Sequence, residues 1–210
     1  MHALVIAHGE PVSKALLHEL AAAASYLVAA DGGLHHAREA GLTPDAVVGD
    51  LDSLDAADYS TLPPGVLQQD TNPDATDLEK AVAFARRHGA TSIDITCATG
   101  GRVDHAIANF SVLTANRGFG ALRVVDDQFE VSLVEQQATV SARPGTVVSL
   151  IAIGDCTGVT TSGLRWDLHG HTLPFSAYGV HNEIVADTAT ISVETGDLLL
   201  FRGRWVEHHA

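Results

Sequence analysis

Two cysteines, one methionine and an aromatic fraction of 5% are the sparsest features of this 210-residue chain. Cys97 and Cys156 stand far apart and no Cys-x-x-Cys pair occurs. That excludes a disulfide-dense secreted scaffold and a cysteine-based zinc site, so free buried thiols are expected. No apolar run approaches the ~20 residues needed to cross a bilayer. Met1 leads directly into a short apolar stretch without the basic start and cleavage site of a signal peptide. A cytoplasmic protein with no membrane partner is expected. Basic residues are scarce too: 12 lysines and arginines face 26 aspartates and glutamates, for a net charge of −14. Binding a phosphodiester backbone requires a basic face, so nucleic acid is excluded as a partner. A polyphosphate is not, because a divalent cation can bridge carboxylates to phosphates.

What is present suits a packed globular chain: 46% hydrophobic and 18% charged residues, enough for one large domain or two small ones. Short apolar runs alternate with helical patterns up to about residue 128. Leu4–Ile6, Tyr26–Ala30, Ala46–Val48, Gly65–Gln68, Ser92–Cys97 and Ala121–Val125 read as strands. Val12–Ala24, Leu34–Ala40, a segment from Thr76 to about His88, and Val103–Asn116 read as helices. Thr76 and Glu79 have the spacing of a capping box. Ile107, Phe110 and Leu113 share one face of the last helix. This alternation predicts a mainly parallel sheet with flanking helices, a Rossmann-like α/β domain over residues 1–128. From Phe129 onward the helical period disappears. Short β-branched runs at 129–134, 139–142, 146–151, 158–161, 180–186, 189–193 and 198–201 predict an antiparallel β-sandwich over 129–210.

In an open parallel sheet, ligands bind beyond the carboxyl ends of the strands. Asp31 follows the second strand, Asp50 and Asp52 the third, and Asp77 opens a helix. Arg102 and Asp104 follow the strand ending at Cys97. Asp50 and Asp52, at i and i+2, share a face if the segment is extended, and Mg²⁺ favours such oxygen ligands. The alternative is that they cap the turn and the following helix. Asp31-Gly32-Gly33 and Gly100-Gly101-Arg102 are loops whose backbone can approach a ligand closely. Neither is a P-loop, and ordinary tight turns explain either one alone. Arg102 can grip phosphate bidentately at a helix start. His105 is better suited to orienting or packing than to acid–base work. His8, His35-His36, His169, His171 and His208-His209 read as surface or packing histidines. Trp166, between Arg165 and Asp167, reads as core or as a stacking platform for a cationic ring. Asn182 reads as a turn residue at a strand end.

In order, Asp31-Gly32-Gly33, Gly49-Asp50-Leu51-Asp52-Ser53, Thr76-Asp77-Leu78-Glu79-Lys80-Ala81, Gly100-Gly101-Arg102-Val103-Asp104-His105, Gly163-Leu164-Arg165-Trp166-Asp167-Leu168 and His181-Asn182-Glu183 resemble the thiamine pyrophosphokinase family. The resemblance runs from about residue 28 to residue 200. It implies transfer of pyrophosphate from ATP to the thiamine hydroxyl, giving thiamine diphosphate and AMP. It also implies a homodimer whose active sites join the α/β domain of one subunit to the β domain of the other. Carried over by residue, Asp50, Asp52 and Asp77 correspond to the Mg²⁺ and phosphate-site carboxylates. Asp31, Gly32, Ser53, Gly101 and Arg102 correspond to the ATP site, with Arg102 as phosphate clamp. Asp104 corresponds to the carboxylate near the reacting hydroxyl. Trp166 corresponds to the tryptophan that stacks on thiamine, with His181 and Asn182 in the thiamine-contacting element.

Two departures stand out. His181 replaces the family's serine, and the segment Asp70–Ala75 is longer than usual, so Asp70 or Asp74 fills the remaining acidic position. Three other readings are weighed: a pyrophosphokinase for another small alcohol such as a hydroxymethylpterin, a metal-dependent phosphohydrolase, and a binding module without catalysis. Trp166 and Asn182 favour thiamine over a pterin, and the carboxylate set with Arg102 disfavours binding alone.

Overall fold

The computed structural model describes residues 1–55 and 60–206, and His208-His209 lie outside the described residues. The chain divides into two compact units, Met1–Asp127 and Gln128–Ala210. Among the described residues, no helix is long and apolar enough to cross a membrane.

In the first unit, six strands are β1 (His2–Ile6), β2 (Tyr26–Ala30), β3 (Ala46–Gly49), β4 (Leu67–Gln69), β5 (Ser92–Thr96) and β6 (Ala121–Val125). They lie in the order β4-β3-β2-β1-β5-β6, and every pairing is parallel. Successive residues of β1, Ala3 to Ile6, are all inaccessible to solvent, as a sheet covered on both faces requires. The unit's helices include α1 (Lys14–Ala23), α2 (Gly33–Glu39), α3 (Asp77–Arg87), α4 (Val103–Asn109) and α5 (Ser111–Ala115). Leu16, Leu17 and Leu20 of α1 pack with Leu4 and Ile6 of β1. The predicted capping box starts α3: Thr76 Oγ1 accepts from Glu79 N, and Thr76 N donates to Glu79 Oε2 at 2.8 Å. This fixes Asp77 as the first helical residue.

The strand order reverses between β1 and β5, where such sheets open a crevice at their carboxyl edge. Backbone bonds from Ala7 N to Thr96 O (2.9 Å), Gly9 N to Cys97 O (2.7 Å) and Glu10 N to Thr99 O (2.9 Å) knit the two loops that leave these strands. Gly9 permits this closeness, since a Cβ there would meet the Cys97 and Thr99 carbonyl oxygens at 2.7 Å.

The helix expected over Val103–Asn116 is two helices, meeting at Phe110. The second piece reaches the core through Val112 and Leu113. The first buries none of its residues, and Ile107 is 66% exposed rather than part of a buried stripe. Asn109 donates to Ala98 O at 2.7 Å, so a polar bond to the β5 loop anchors α4 where an apolar face was expected.

The second unit holds β7 (Phe129–Val134), β8 (Gln137–Ser141), β9 (Thr146–Ser162), β10 (His171–Leu173), β11 (Asn182–Glu183), β12 (Thr188–Ser192) and β13 (Thr195–Val206). All their pairings are antiparallel: β13 joins β7 to β9, β12 joins β9 to β8, and β10 and β11 add to β9. Val148, Leu150, Ile184, Ile191 and Leu198 sit in its core. The runs at 146–151 and 158–161, expected as separate strands, are one strand. Gly154 (φ 80°) and Gly158 (φ 65°) supply left-handed turns that bend β9 without ending it. The strand expected at 180–186 shrinks to Asn182–Glu183, because His181 is itself left-handed (φ 64°).

Candidate active site

A cleft of about 440 Å³ occupies the crevice at the strand-order reversal. It is lined by the β1 loop (Ala7–Glu10), the β2 loop (Ala30–Gly32), Ser53, Thr76–Leu78, Gly100–Arg102, His105 and Asn109. Apart from His105 and Asn109 on α4, each segment follows a strand or starts a helix, so the sheet sets these side chains.

Asp31 lies at its floor, left-handed (φ 44°), a region aspartate tolerates better than most residues. Its backbone N–H donates to Val48 O at 2.9 Å. The residue is 3% exposed, and its buried Oδ1 has no hydrogen-bond partner. Asp31, Asp50 and Asp77 each present an oxygen within 4.8 Å of the others. Gly49 makes room for this, since a Cβ there would lie 2.8 Å from Asp31 Cβ and 3.0 Å from Asp77 Oδ1. Asp77 Oδ1 accepts from Asp50 N at 3.3 Å and from Lys80 Nζ at 2.9 Å.

Asp52 lies outside this oxygen group. Leu51 is left-handed (φ 67°), which breaks the extended geometry that would have put residues 50 and 52 on one face. Instead Asp52 N donates to Asp50 Oδ1 at 3.1 Å, the bond of a capped turn. Asp50 is the main reason the exposed Asp52 carboxyl is pushed above its ordinary value, with Asp31 adding to it. Ser53 lines the cleft, and its carbonyl accepts from His35 Nε2 at 3.4 Å.

Arg102, also in the cleft lining, precedes α4 and pairs bidentately with Asp104: Nε to Oδ1 at 3.1 Å and Nη2 to Oδ2 at 2.6 Å. The guanidinium beside it holds the Asp104 carboxyl down at about 2. The two side chains are 72% and 65% exposed, and ion pairs so open to water are weakly held. Gly101 is left-handed (φ 64°) and open towards the cleft.

His8, expected as a surface or packing histidine, lines the cleft with Gly9 and Glu10, because β1 is a central strand and the loop after it borders the crevice. The His8 ring packs over Gly32, where a Cβ would lie 2.2 Å from Nδ1. The His35 and His36 rings lie 6.1 and 5.8 Å from that of His8. Burial, then His36 and His35, pulls the His8 imidazole below its ordinary value. Lys80, to which its sequence motif assigns no role of its own, is 6% exposed against Asp77.

In the second unit, Trp166 is 57% exposed, contrary to a core role, and the Arg165 guanidinium carbon lies 5.8 Å from its ring centroid. Asn182 brackets its backbone: Nδ2 donates to Trp166 O at 2.8 Å, and Oδ1 accepts from Trp166 N at 3.2 Å. Arg165 pairs with the buried Glu183. His181 N donates to Ser149 Oγ at 2.9 Å. Asp70 and Asp74 belong to a loop of successive turns, in which Asn72 N bonds Asp70 Oδ1 and Asp74 N bonds Asn72 Oδ1, both at 3.0 Å.

Family models for "Thiamin pyrophosphokinase, catalytic domain" and "Thiamin pyrophosphokinase, vitamin B1 binding domain" match residues 17–122 and 133–200. The chain is 29% identical over 182 residues to thiamine pyrophosphokinase 3 of Oryza sativa subsp. japonica, covering 80% of this chain and 68% of the relative. It is 24% identical over 191 residues to thiamine pyrophosphokinase of Bacillus subtilis (strain 168), covering 83% and 86%. The chain thus spans about two thirds of the length of the plant relatives it matches, 68% and 64% for two of them. The crystal structure of the Bacillus subtilis protein superposes with a TM-score of 0.83 at 21% identity, covering 97% of this chain and 99% of that one. At that identity the likeness speaks for the fold.

Proposed function

We propose, for a chain that belongs to the thiamine pyrophosphokinase family, that it transfers the pyrophosphoryl group of ATP to the hydroxyl of thiamine, giving thiamine diphosphate and AMP. The observation that carries the reading is the group of Asp31, Asp50 and Asp77 oxygens, in which Asp31 is buried with one carboxylate oxygen unpartnered. Lys80 pairs with Asp77, so one positive charge faces three carboxylates, and their remaining repulsion favours a further cation. An all-oxygen donor set fits a hard ion such as Mg²⁺. Asp31, Asp50 and Asp77 would hold it, with Asp52 close by. Bound there, Mg²⁺ would supply Lewis-acid charge neutralisation for the phosphoanhydride chemistry.

The chain's residues then divide the remaining work. Thiamine oxygen bonds to the β-phosphorus, the bond from that phosphorus to the α,β-bridging oxygen breaks, and AMP leaves with that oxygen. In-line placement and charge neutralisation matter more here than covalent help. Arg102 exchanges its exposed partner Asp104 for phosphate oxygens, where it meets the charge gathering on the leaving group. Asp104, released by Arg102, is an exposed carboxylate, a weak base at neutral pH, and serves to orient the hydroxyl. The hydroxyl proton passes to solvent or phosphate as the new bond forms. Trp166 offers an open aromatic face to the thiazolium cation, and Asn182 holds the segment that carries it.

In this reading residues 1–128 form a Rossmann-like ATP-binding domain and 129–210 a β-sandwich that binds thiamine. The protein works as a homodimer in the cytoplasm, with sites shared between subunits. The exposed Val103 and Ile107 of α4, and Trp166, Phe175 and Tyr178 of the second unit, are apolar surface of the kind a second copy covers. The test is to incubate the protein with Mg²⁺-ATP and thiamine and identify the products. AMP with thiamine diphosphate is expected; ADP with free phosphate, or turnover indifferent to thiamine, defeats the reading.

A further inference from the structure

Buried lysines are rare unless paired, and Lys80 sits on α3 with its side chain 5% exposed. Its Nζ donates to Asp77 Oδ1 at 2.9 Å, one helical turn back. The same oxygen accepts the Asp50 backbone N–H at 3.3 Å. Asp77 is confined further, since the Thr76–Glu79 box sets the first turn of α3 and a Cβ on Gly49 would lie only 3.0 Å from the same Oδ1. Both donors fall on Oδ1, leaving Oδ2 as the oxygen that neither occupies. A carboxylate bonded in this way cannot rotate freely or swing both oxygens onto one ion.

We infer that Lys80 is a positioning residue that locks the Asp77 carboxylate into one-oxygen presentation and thereby biases the acidic site towards Mg²⁺ over larger cations. The inference rests on the metal reading above. The physical ground is the difference between the ions. Mg²⁺ demands near-octahedral geometry at short distance and gains from a preset single oxygen. Ca²⁺ takes more oxygens in flexible geometry and accepts a carboxylate bidentately. Partners that orient a ligand without touching the metal act in just this way. The positive charge of Lys80 opposes any divalent cation, but it opposes Mg²⁺ and Ca²⁺ alike. The ratio of their affinities therefore cancels the charge and isolates the hydrogen bond.

The test uses full-length, nucleotide-free protein. Bound Mn²⁺ is followed by electron paramagnetic resonance and displaced with Mg²⁺ or with Ca²⁺. Wild type should hold Mn²⁺ at least about 10-fold tighter than Asp50→Asn and release it to both ions. Lys80→Met, of similar length but without a donor, should shift the Mg²⁺:Ca²⁺ affinity ratio about 10-fold towards Ca²⁺. Lys80→Gln, which keeps a donor and loses the charge, should stay near the wild-type ratio, and Lys80→Leu, also without a donor, takes the place of Lys80→Met if that variant does not fold. An unchanged ratio in folded Lys80→Met, or the same collapse in Lys80→Gln, overturns the role of Lys80 while leaving the site intact. Wild-type Mn²⁺ affinity no better than that of Asp50→Asn overturns the metal site, and Lys80's role with it.

Discussion

Gly49→Ala adds one methyl group at the point where the candidate site is tightest. Gly49 ends β3, and a Cβ there would lie 2.8 Å from Asp31 Cβ, 3.0 Å from Asp77 Oδ1 and 3.1 Å from Asp77 Cγ. Carbon atoms rest comfortably at about 3.5–4.0 Å, so Asp31 or the strand must retreat by about 1 Å. Gly49 needs no left-handed backbone, so the perturbation is steric. Overpacking of this kind costs about 1–3 kcal/mol, which a domain with several kcal/mol of stability withstands. Function should be hit harder, because a displacement of about 1 Å in a positioned group costs on the order of 100-fold in rate. The assay is turnover at saturating ATP and thiamine across a Mg²⁺ titration, paired with a thermal melt. A folded variant with kcat about 100-fold lower and a raised Mg²⁺ requirement is expected. Wild-type turnover and metal dependence in folded Gly49→Ala would refute the assignment of this acid group to the metal.

Asp31→Asn keeps a residue that tolerates the left-handed region while removing a buried, unpartnered charge. In EDTA it should melt higher than wild type, yet lose about 100-fold in Mg²⁺-dependent turnover. A lower melt in EDTA would mean that the charge is not a source of repulsion. Trp166→Ala, at a 57% exposed position, should fold normally. It should raise the KM for thiamine about 10-fold while sparing that for ATP; equal effects on both count against stacking. Arg102→Met removes the partner that holds Asp104 at about 2, so the midpoint of its carboxyl ¹³C resonance should climb towards 3.8. Because that folded value is depressed, the pair persists above the ordinary carboxylate range and dissolves as pH falls through about 2. An Asp104 midpoint unmoved in the variant would contradict the pairing.

The alternating architecture of the first unit was legible because its strands are short, continuous apolar runs, as in β1 and β3, and because the Thr76–Glu79 box marks the start of α3. The acidic rim was legible for the same reason: Asp31, Asp50 and Asp77 each follow a strand or open a helix. Which oxygens meet was not legible, since it hinges on two backbone conformations. Leu51 turns left-handed and carries Asp52 away, while Asp31, also left-handed, turns inward. Nothing in the side-chain pattern announces either. The burial of Lys80 was not legible either, since a lysine in a Leu-Glu-Lys-Ala run carries no local sign of burial. In the second unit the local pattern misled twice. Glycines 154 and 158 look like strand ends, yet they bend a strand that continues. Trp166 looks like core by composition and stands 57% exposed.

The most direct measurement follows the label from [γ-³²P]ATP incubated with the protein, Mg²⁺ and thiamine. The label should arrive in the terminal phosphate of thiamine diphosphate, with unlabelled AMP formed in equal amount and no turnover in Asp50→Asn. Labelled thiamine monophosphate with ADP, or labelled free phosphate released without thiamine, would contradict pyrophosphoryl transfer at this acidic site.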